Sequence, residues 1–174
     1  LLKHDPGNYP QDEFSTFMQK LVREGYEVER YVQQFFDNAG DRNVSFQAEF
    51  RTDDGLYARV DALENMGDGT TALYEIKSST SVKTDAKHNH IKDACFQKIC
   101  AERTGQKIDR VFLVHLNGDY VRDGEIDPSA MLVFADITEA VDDIEVETSA
   151  EIDAALAFLV SDQDMSECSC VEKT

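Results

Sequence analysis

Residues 58–80 read ARVDALENMGDGTTALYEIKSST, and this stretch sets the fold class. Two apolar segments flank the turn signal Gly67-Asp68-Gly69, which predicts a β-hairpin. Asp61 sits in the first segment; Glu75, Ile76 and Lys77 sit in the second. Strand side chains alternate faces, so Glu75 and Lys77 share one face while Tyr74 and Ile76 take the other, facing a core. With Asp61 on the adjacent strand, two carboxylates and one ammonium converge on a rigid element. Two carboxylates suit a hard divalent cation such as Mg²⁺ or Mn²⁺. Such an ion polarises a phosphoryl oxygen and activates a water, and a lysine beside it holds that water or the developing charge. A Glu-x-Lys pair on a strand is also a common surface ion pair worth little. Here the neighbours are Val60, Ala62, Leu63, Leu73 and Ile76. Charges in strands this apolar risk burial, and buried charges need a partner or a metal.

On the N-terminal side, residues 9–40 carry Phe14, Phe17, Leu21, Val28, Val32 and Phe35 at helical spacing and end in Asn38-Ala39-Gly40. The pattern predicts one or two helices, with Gly25 marking a break or a close packing contact. In residues 43–50, Val44, Phe46, Ala48 and Phe50 keep period two, which predicts a strand ahead of the hairpin and three antiparallel strands in all. On the C-terminal side, residues 84–106 read as a helix ended by Gly105. Residues 109–117 form a continuous apolar strand of the kind buried on both faces. Residues 118–127 read as a hairpin edge and residues 130–138 as another strand, with Asp136 or Thr138 capping the next helix. Residues 149–162 form a final amphipathic helix. This order predicts a mixed α/β domain, a central sheet flanked by helices.

The chain has 174 residues, 41% hydrophobic and 30% charged, enough for one domain with a real core. No segment has the length of a membrane helix, and the first ten residues lack a signal peptide's apolar core. The chain opens on Leu1 rather than Met, which points to a piece of a longer or trimmed protein. The formal net charge of -18 argues against a general nucleic-acid coat. A locally basic cleft remains compatible with it, because bound cations offset the carboxylates that hold them. Lys77, Lys83, Lys87, Lys92 and Lys98 form the densest basic stretch, which begins at the proposed site; its plain alternative is a solvated helix face. Cys95 and Cys100 fall in the predicted helix as buried small hydrophobes. Cys168 and Cys170 are too few for a closed zinc or iron–sulfur site. With no secretory segment, the expected location is the reducing cytoplasm.

With Asp61, Glu75 and Lys77 on a strand pair followed by a helix, the chain resembles the PD-(D/E)XK nuclease superfamily. More narrowly it resembles the RecB-like exonuclease branch, which includes the CRISPR-associated RecB-like exonucleases. The resemblance covers residues 14–145. It implies a restriction-endonuclease-like core in a single domain over residues 1–174, with residues 146–174 a C-terminal helix and tail. A helix after the Glu-x-Lys strand carries a glutamine in that branch, and Gln97 stands at the matching place. An aromatic residue often stands four positions later, where this chain has Ala101. An earlier helix of the branch has a Gly with a metal-binding His four residues on; here Gly25 is followed by Glu29, and a carboxylate serves the same ions. The stretch from Val111 to Thr138 is similar to that of a little-characterised bacterial family whose nuclease-like domain precedes further sequence. The cysteines of residues 168–170 resemble the start of an iron–sulfur cysteine group, which only a longer chain would complete.

The resemblance implies a divalent-metal-dependent deoxyribonuclease of exonuclease type acting on DNA, with RNA as the other phosphodiester. Asp61, Glu75, Lys77 and Gln97 are its catalytic candidates; Glu29, Asp61 and Glu75 are its metal ligands, for Mg²⁺ or Mn²⁺. Lys77 would position or deprotonate the attacking water, and Gln97 would orient Lys77 or contact DNA. The rival reading is a nuclease fold kept as a binding scaffold, its acidic surface meeting a protein partner. His88-Asn89-His90 spells HNH, but three letters do not make the ββα metal fold of that unrelated family. His90 shares a helical stripe with Ala94, Gln97 and Ala101, and reads as a surface histidine or one facing the cleft. His115, in an apolar strand, reads as a hydrogen-bonded core residue. Ser78, Ser79 and Thr80 read as a phosphate contact or a polar strand end.

Overall fold

A computed structural model of the chain describes residues 15–40 and 42–161. Residues 58–80 form the expected hairpin: β2 (Tyr57–Asn65) and β3 (Thr71–Ile76) pair antiparallel around a turn in which Gly67 and Gly69 take φ of 77° and 88°. Only glycine enters that left-handed region without penalty. Strand β1 (Asn43–Arg51) pairs antiparallel with β2, completing the three-stranded start.

The order of the five-stranded sheet is β1-β2-β3-β6-β7. Strand β3 leads through β4 (Thr84–Asp85), β5 (His88–Asn89) and helix α2 (His90–Arg103) to β6 (Arg110–Leu116), which lies parallel to β3. A parallel neighbour needs such a crossover. Beyond β6, the one-turn α3 (Pro128–Met131) leads into β7 (Leu132–Asp136), antiparallel to β6. The sheet is therefore mixed, and it is flanked by helices, as the sequence predicts.

Helix α1 (Thr16–Asn38) covers one face, burying Val28, Val32 and Phe36 against Ala62, Ala72, Tyr74 and Val114. Helices α2 and α4 (Thr138–Leu159) cover the other, where Val60, Leu73, Val111 and Leu113 pack with Ala94, Cys95 and Val141. Strand β6 is thus buried on both faces, and Cys95 and Cys100 are fully buried thiols.

Five expectations are corrected. Helix α1 runs unbroken through Gly25, and among the described residues no atom approaches where a Cβ would stand, so neither a break nor close packing against them explains that residue. A helix of this length absorbs the roughly 1 kcal/mol cost of one glycine. Residues 84–89 form the β4–β5 hairpin rather than the start of a helix. The Asp85 carboxylate accepts from the amides of Lys87 and His88, and Asn89 caps α2 by accepting from Lys92 N. These local bonds give the backbone an alternative to the helix. Residues 118–127 form no strand; Tyr120 Oη accepts from Asp127 N instead, and Val121 is exposed. The helix expected after Asp136 and Thr138 and the final helix expected over residues 149–162 are one continuous α4, which includes the acidic stretch. Asp136 Oδ1 accepts from Thr138 N at its start.

The fifth concerns β1. Val44, Phe46, Ala48 and Phe50 keep period two but not one face. Val44 and Phe46 join the α1-side core, whereas Ala48 and Phe50 join the α2-side core. Their partners Ala62 and Val60 divide the same way. The switch falls at Gln47, whose φ of 57° is left-handed. A single residue in that region turns the strand over and sharpens its twist.

Phe14, Cys168 and Cys170 lie outside the described residues. No helix among the described residues is long and apolar enough to cross a membrane.

Candidate active site

The β2–β3 ladder runs from Asn65↔Thr71 to Ala62↔Tyr74 and stops there. Past that point the amide of Ile76 donates to Asp61 Oδ2 at 2.8 Å, so a side chain takes the place of the ladder. The strands part where Asp61 and Glu75 stand. Strand β3 keeps its other neighbour: Lys77 N donates to Val114 O at 2.9 Å, and Leu116 N to Ser79 O at 2.8 Å. The Glu-x-Lys is therefore anchored on the β6 side and open on the β2 side.

Glu75 and Lys77 do share a face. Lys77 Nζ lies 2.6 Å from Glu75 Oε1 and 2.5 Å from Asp93 Oδ2 on the first turn of α2. Gln97, one turn further along α2, donates from Nε2 to Glu75 Oε2 at 2.5 Å. Gln97 thus orients Glu75 rather than Lys77. Its own Oε1 is buried and has no hydrogen-bond partner among the described residues. On the other flank, Gln47 Nε2 reaches Asp61 Oδ1 at 3.4 Å, so the left-handed residue of β1 touches the site.

Burial is the main force on these carboxylates. It pushes Glu75 up to about 7, with the Asp61 charge adding to the rise and Lys77 opposing it. Burial likewise raises Asp61, against the Ile76 amide and the Lys77 charge. Glu29, on α1, is raised by burial and then by the charge of Asp61, which brings it into the electrostatics of the same site. Lys77 is the counterpart: burial works against its charge, but Glu75 and Asp93 outweigh it and hold the ammonium firmly protonated. The ion pair thus favours the lysine's charge more than it relieves the glutamate, because Glu75 also bears deep burial and a second carboxylate. A charged Lys77 in this arrangement is placed to hold a water or to stabilise negative charge.

Asp93 is the residue that sequence reasoning missed. Its signal was present, four positions before Gln97 on the same helical stripe. His90, one turn earlier, is buried, and its Nδ1 accepts from Lys83 N at 3.2 Å. Burial, then the charges of Lys77 and Lys83, lower its affinity for a proton. His115 is a core residue as expected, its Nδ1 donating to Leu116 O at 3.0 Å. Ser79 turns its hydroxyl to Ser81 O.

Among the described residues, no three His, Cys, Asp or Glu side chains are grouped as the ligands of one ion would be. The donor chemistry at Asp61 and Glu75 nonetheless fits a hard divalent cation. Both are oxygen donors, they repel one another, and a buried oxygen of Gln97 beside Glu75 lacks a partner.

No protein-family description and no curated protein matches the chain. Among solved structures it is similar to an alkaline exonuclease, LHK-Exo, from Laribacter hongkongensis. The identity is 17% over 87% of this chain and 76% of that one, with a TM-score of 0.46. The structure of LHK-Exo in complex with dAMP gives 22% identity, the same coverage and a TM-score of 0.47.

Proposed function

We propose that the chain is a single nuclease-like domain of the PD-(D/E)XK type that hydrolyses phosphodiester bonds of DNA with Mg²⁺ or Mn²⁺, in the manner of RecB-like exonucleases. The observation that carries this reading is the constellation at the parted end of β2 and β3: Asp61 on one strand, and Glu75 with a charged Lys77 on the other. Asp61 and Glu75 would hold the cation, with Glu29 as the third carboxylate. When bound, the ion supplies Lewis acidity toward a phosphoryl oxygen and a water of lowered pKa.

The chain's own residues do the rest. Lys77, kept charged between Glu75 and Asp93, places a positive charge where negative charge grows on the phosphoryl oxygens, and orients the attacking water as a donor. Gln97 fixes the Glu75 carboxylate so that it presents oxygens rather than swinging to solvent. The Ile76 amide does the same for Asp61.

The rival reading, a nuclease fold kept as a scaffold for a protein partner, requires no ion at Asp61. Calorimetric titration with Mn²⁺ separates the two. The nuclease reading expects binding by the wild type that weakens at least about tenfold in Asp61→Asn, since a carboxylate ligand outweighs the outer contacts whose loss already costs roughly 10–100-fold. Heat absent from the wild type, or unchanged in Asp61→Asn, would favour the scaffold.

A further inference from the structure

We propose that the β4–β5 hairpin is a contact surface for the phosphodiester backbone of a nucleic-acid strand, gripped by Lys83 and Lys87. The inference rests on the hydrolytic reading above and names the element that holds its substrate beside the site.

The chain carries 35 acidic and 17 basic residues, so an ammonium on its surface has carboxylates in abundance. Lys20, Lys77, Lys92, Lys98 and Lys107 each pair with one: Glu24, Glu75, Glu151, Glu145 and Asp109 respectively. The remaining lysines among the described residues are Lys83 and Lys87. Neither has an ion-pair partner among the described residues and both are exposed; Lys87 lies in the turn of this hairpin and Lys83 directly precedes β4. The basic stretch seen in the sequence thus divides. Lys92 and Lys98 are tied to α4, Lys77 is tied into the site, and two cations are left outward. The hairpin's one acid, Asp85, turns its carboxylate onto the amides of Lys87 and His88, both at 3.0 Å.

The hairpin is fastened to the site. Lys83 N donates to His90 Nδ1, and His90 N donates back to Lys83 O at 2.9 Å. One helical turn on from His90, Asp93 grips Lys77 at 2.5 Å. The imidazole of His90 feels the charges of both Lys77 and Lys83. Two unpaired cations on a short loop, tied by two hydrogen bonds to the helix turn that holds Lys77, suit a polyanion whose scissile phosphate lies at that lysine. Released counterions supply the affinity, and they make it salt-dependent.

The test reads binding without cleavage. Wild type and Lys83→Ala/Lys87→Ala are titrated with a fluorescent single-stranded DNA oligonucleotide, with Ca²⁺ in place of Mg²⁺ or Mn²⁺, between about 50 and 200 mM salt. The expected result is binding about tenfold weaker in the double variant at the low-salt end, and a slope of log affinity against log salt shallower by about 1.4, or ~0.7 for each lost phosphate contact. The Lys83→Arg/Lys87→Arg variant keeps both values, and so does Lys20→Ala/Lys107→Ala. Unfolding midpoints stay unchanged, because the hairpin lysines are exposed. Equal affinity and equal slope in the Lys83→Ala/Lys87→Ala variant, or a wild type that binds no DNA at low salt, would overturn the proposal. If the wild type binds through the hairpin yet never cleaves with Mn²⁺, the hydrolytic reading falls and this surface stands. If it cleaves with the hairpin variant binding equally well, the reverse holds.

Discussion

Among individual residues, Asp61 owes its position to its neighbours. The Ile76 amide takes one oxygen, Gln47 approaches the other, and the strand on which Gln47 lies turns over at that residue. A side chain at φ of 57° costs of order 1 kcal/mol, and such outliers persist where the surroundings fix them. Gln47→Gly removes that strain and gives back about as much in chain entropy, so its urea unfolding free energy should stay within about 1 kcal/mol of the wild type. Gln47→Val sets a β-branched residue in the same conformation and should cost roughly 1–3 kcal/mol. Equal losses in the two variants would show that the side chain, and not the backbone, matters there. Asp61, Glu75 and Lys77 were legible because alternation along apolar strands fixes which residues share a face. Gln47 was not, since nothing in the residues 43–50 marks a left-handed position. Asp93 was hidden by the ordinary reading of an acid on the first turn of a helix, where the dipole already accounts for it.

Elements show a similar division. Strands β1, β2, β3 and β6 stood out through period two, turn glycines and an unbroken apolar run. Helix α2 is legible but begins six residues later than its pattern suggests, because residues 84–89 contain no proline to stop a helix and their hairpin rests on side chains bonding local amides. Asn89 is the stop and start at once. Asn89→Ala should lower the unfolding free energy by about 1 kcal/mol, as loss of an N-cap does, while Asn89→Ser should recover most of it. A loss under a few tenths of a kcal/mol in Asn89→Ala would mean that the hairpin holds the end of α2 without the cap. Helix α4 joins the two helices expected after Thr138 into one. Lys98, buried on α2, takes Glu145 and Asp142 from its acidic first half as counter-charges.

For the whole molecule, the sheet places α1 and α2 on opposite faces, and the parted ends of β2 and β3 bring both helices' polar residues into one electrostatic environment. Glu29 reaches it from α1; Asp93 and Gln97 reach it from α2. The layered α/β order was legible because hydrophobic patterning sets layers. The parting of the strands was not, because it depends on a side chain replacing a ladder bond. A net charge of -18 looks hostile to DNA, but two outward lysines beside the site, and a cation held between its carboxylates, would make the approach locally favourable. The sharpest test of a metal-dependent nuclease built on Lys77 is cleavage of end-labelled single- and double-stranded DNA, in Mn²⁺ and in Mg²⁺ separately, by wild type and Lys77→Ala. We expect metal-dependent cleavage by the wild type and a loss of at least about a hundredfold in Lys77→Ala, the scale seen when one donor to a developing oxyanion is removed, with the unfolding transition retained. Cleavage that persists in Lys77→Ala, or no cleavage by the wild type with either ion, would contradict it.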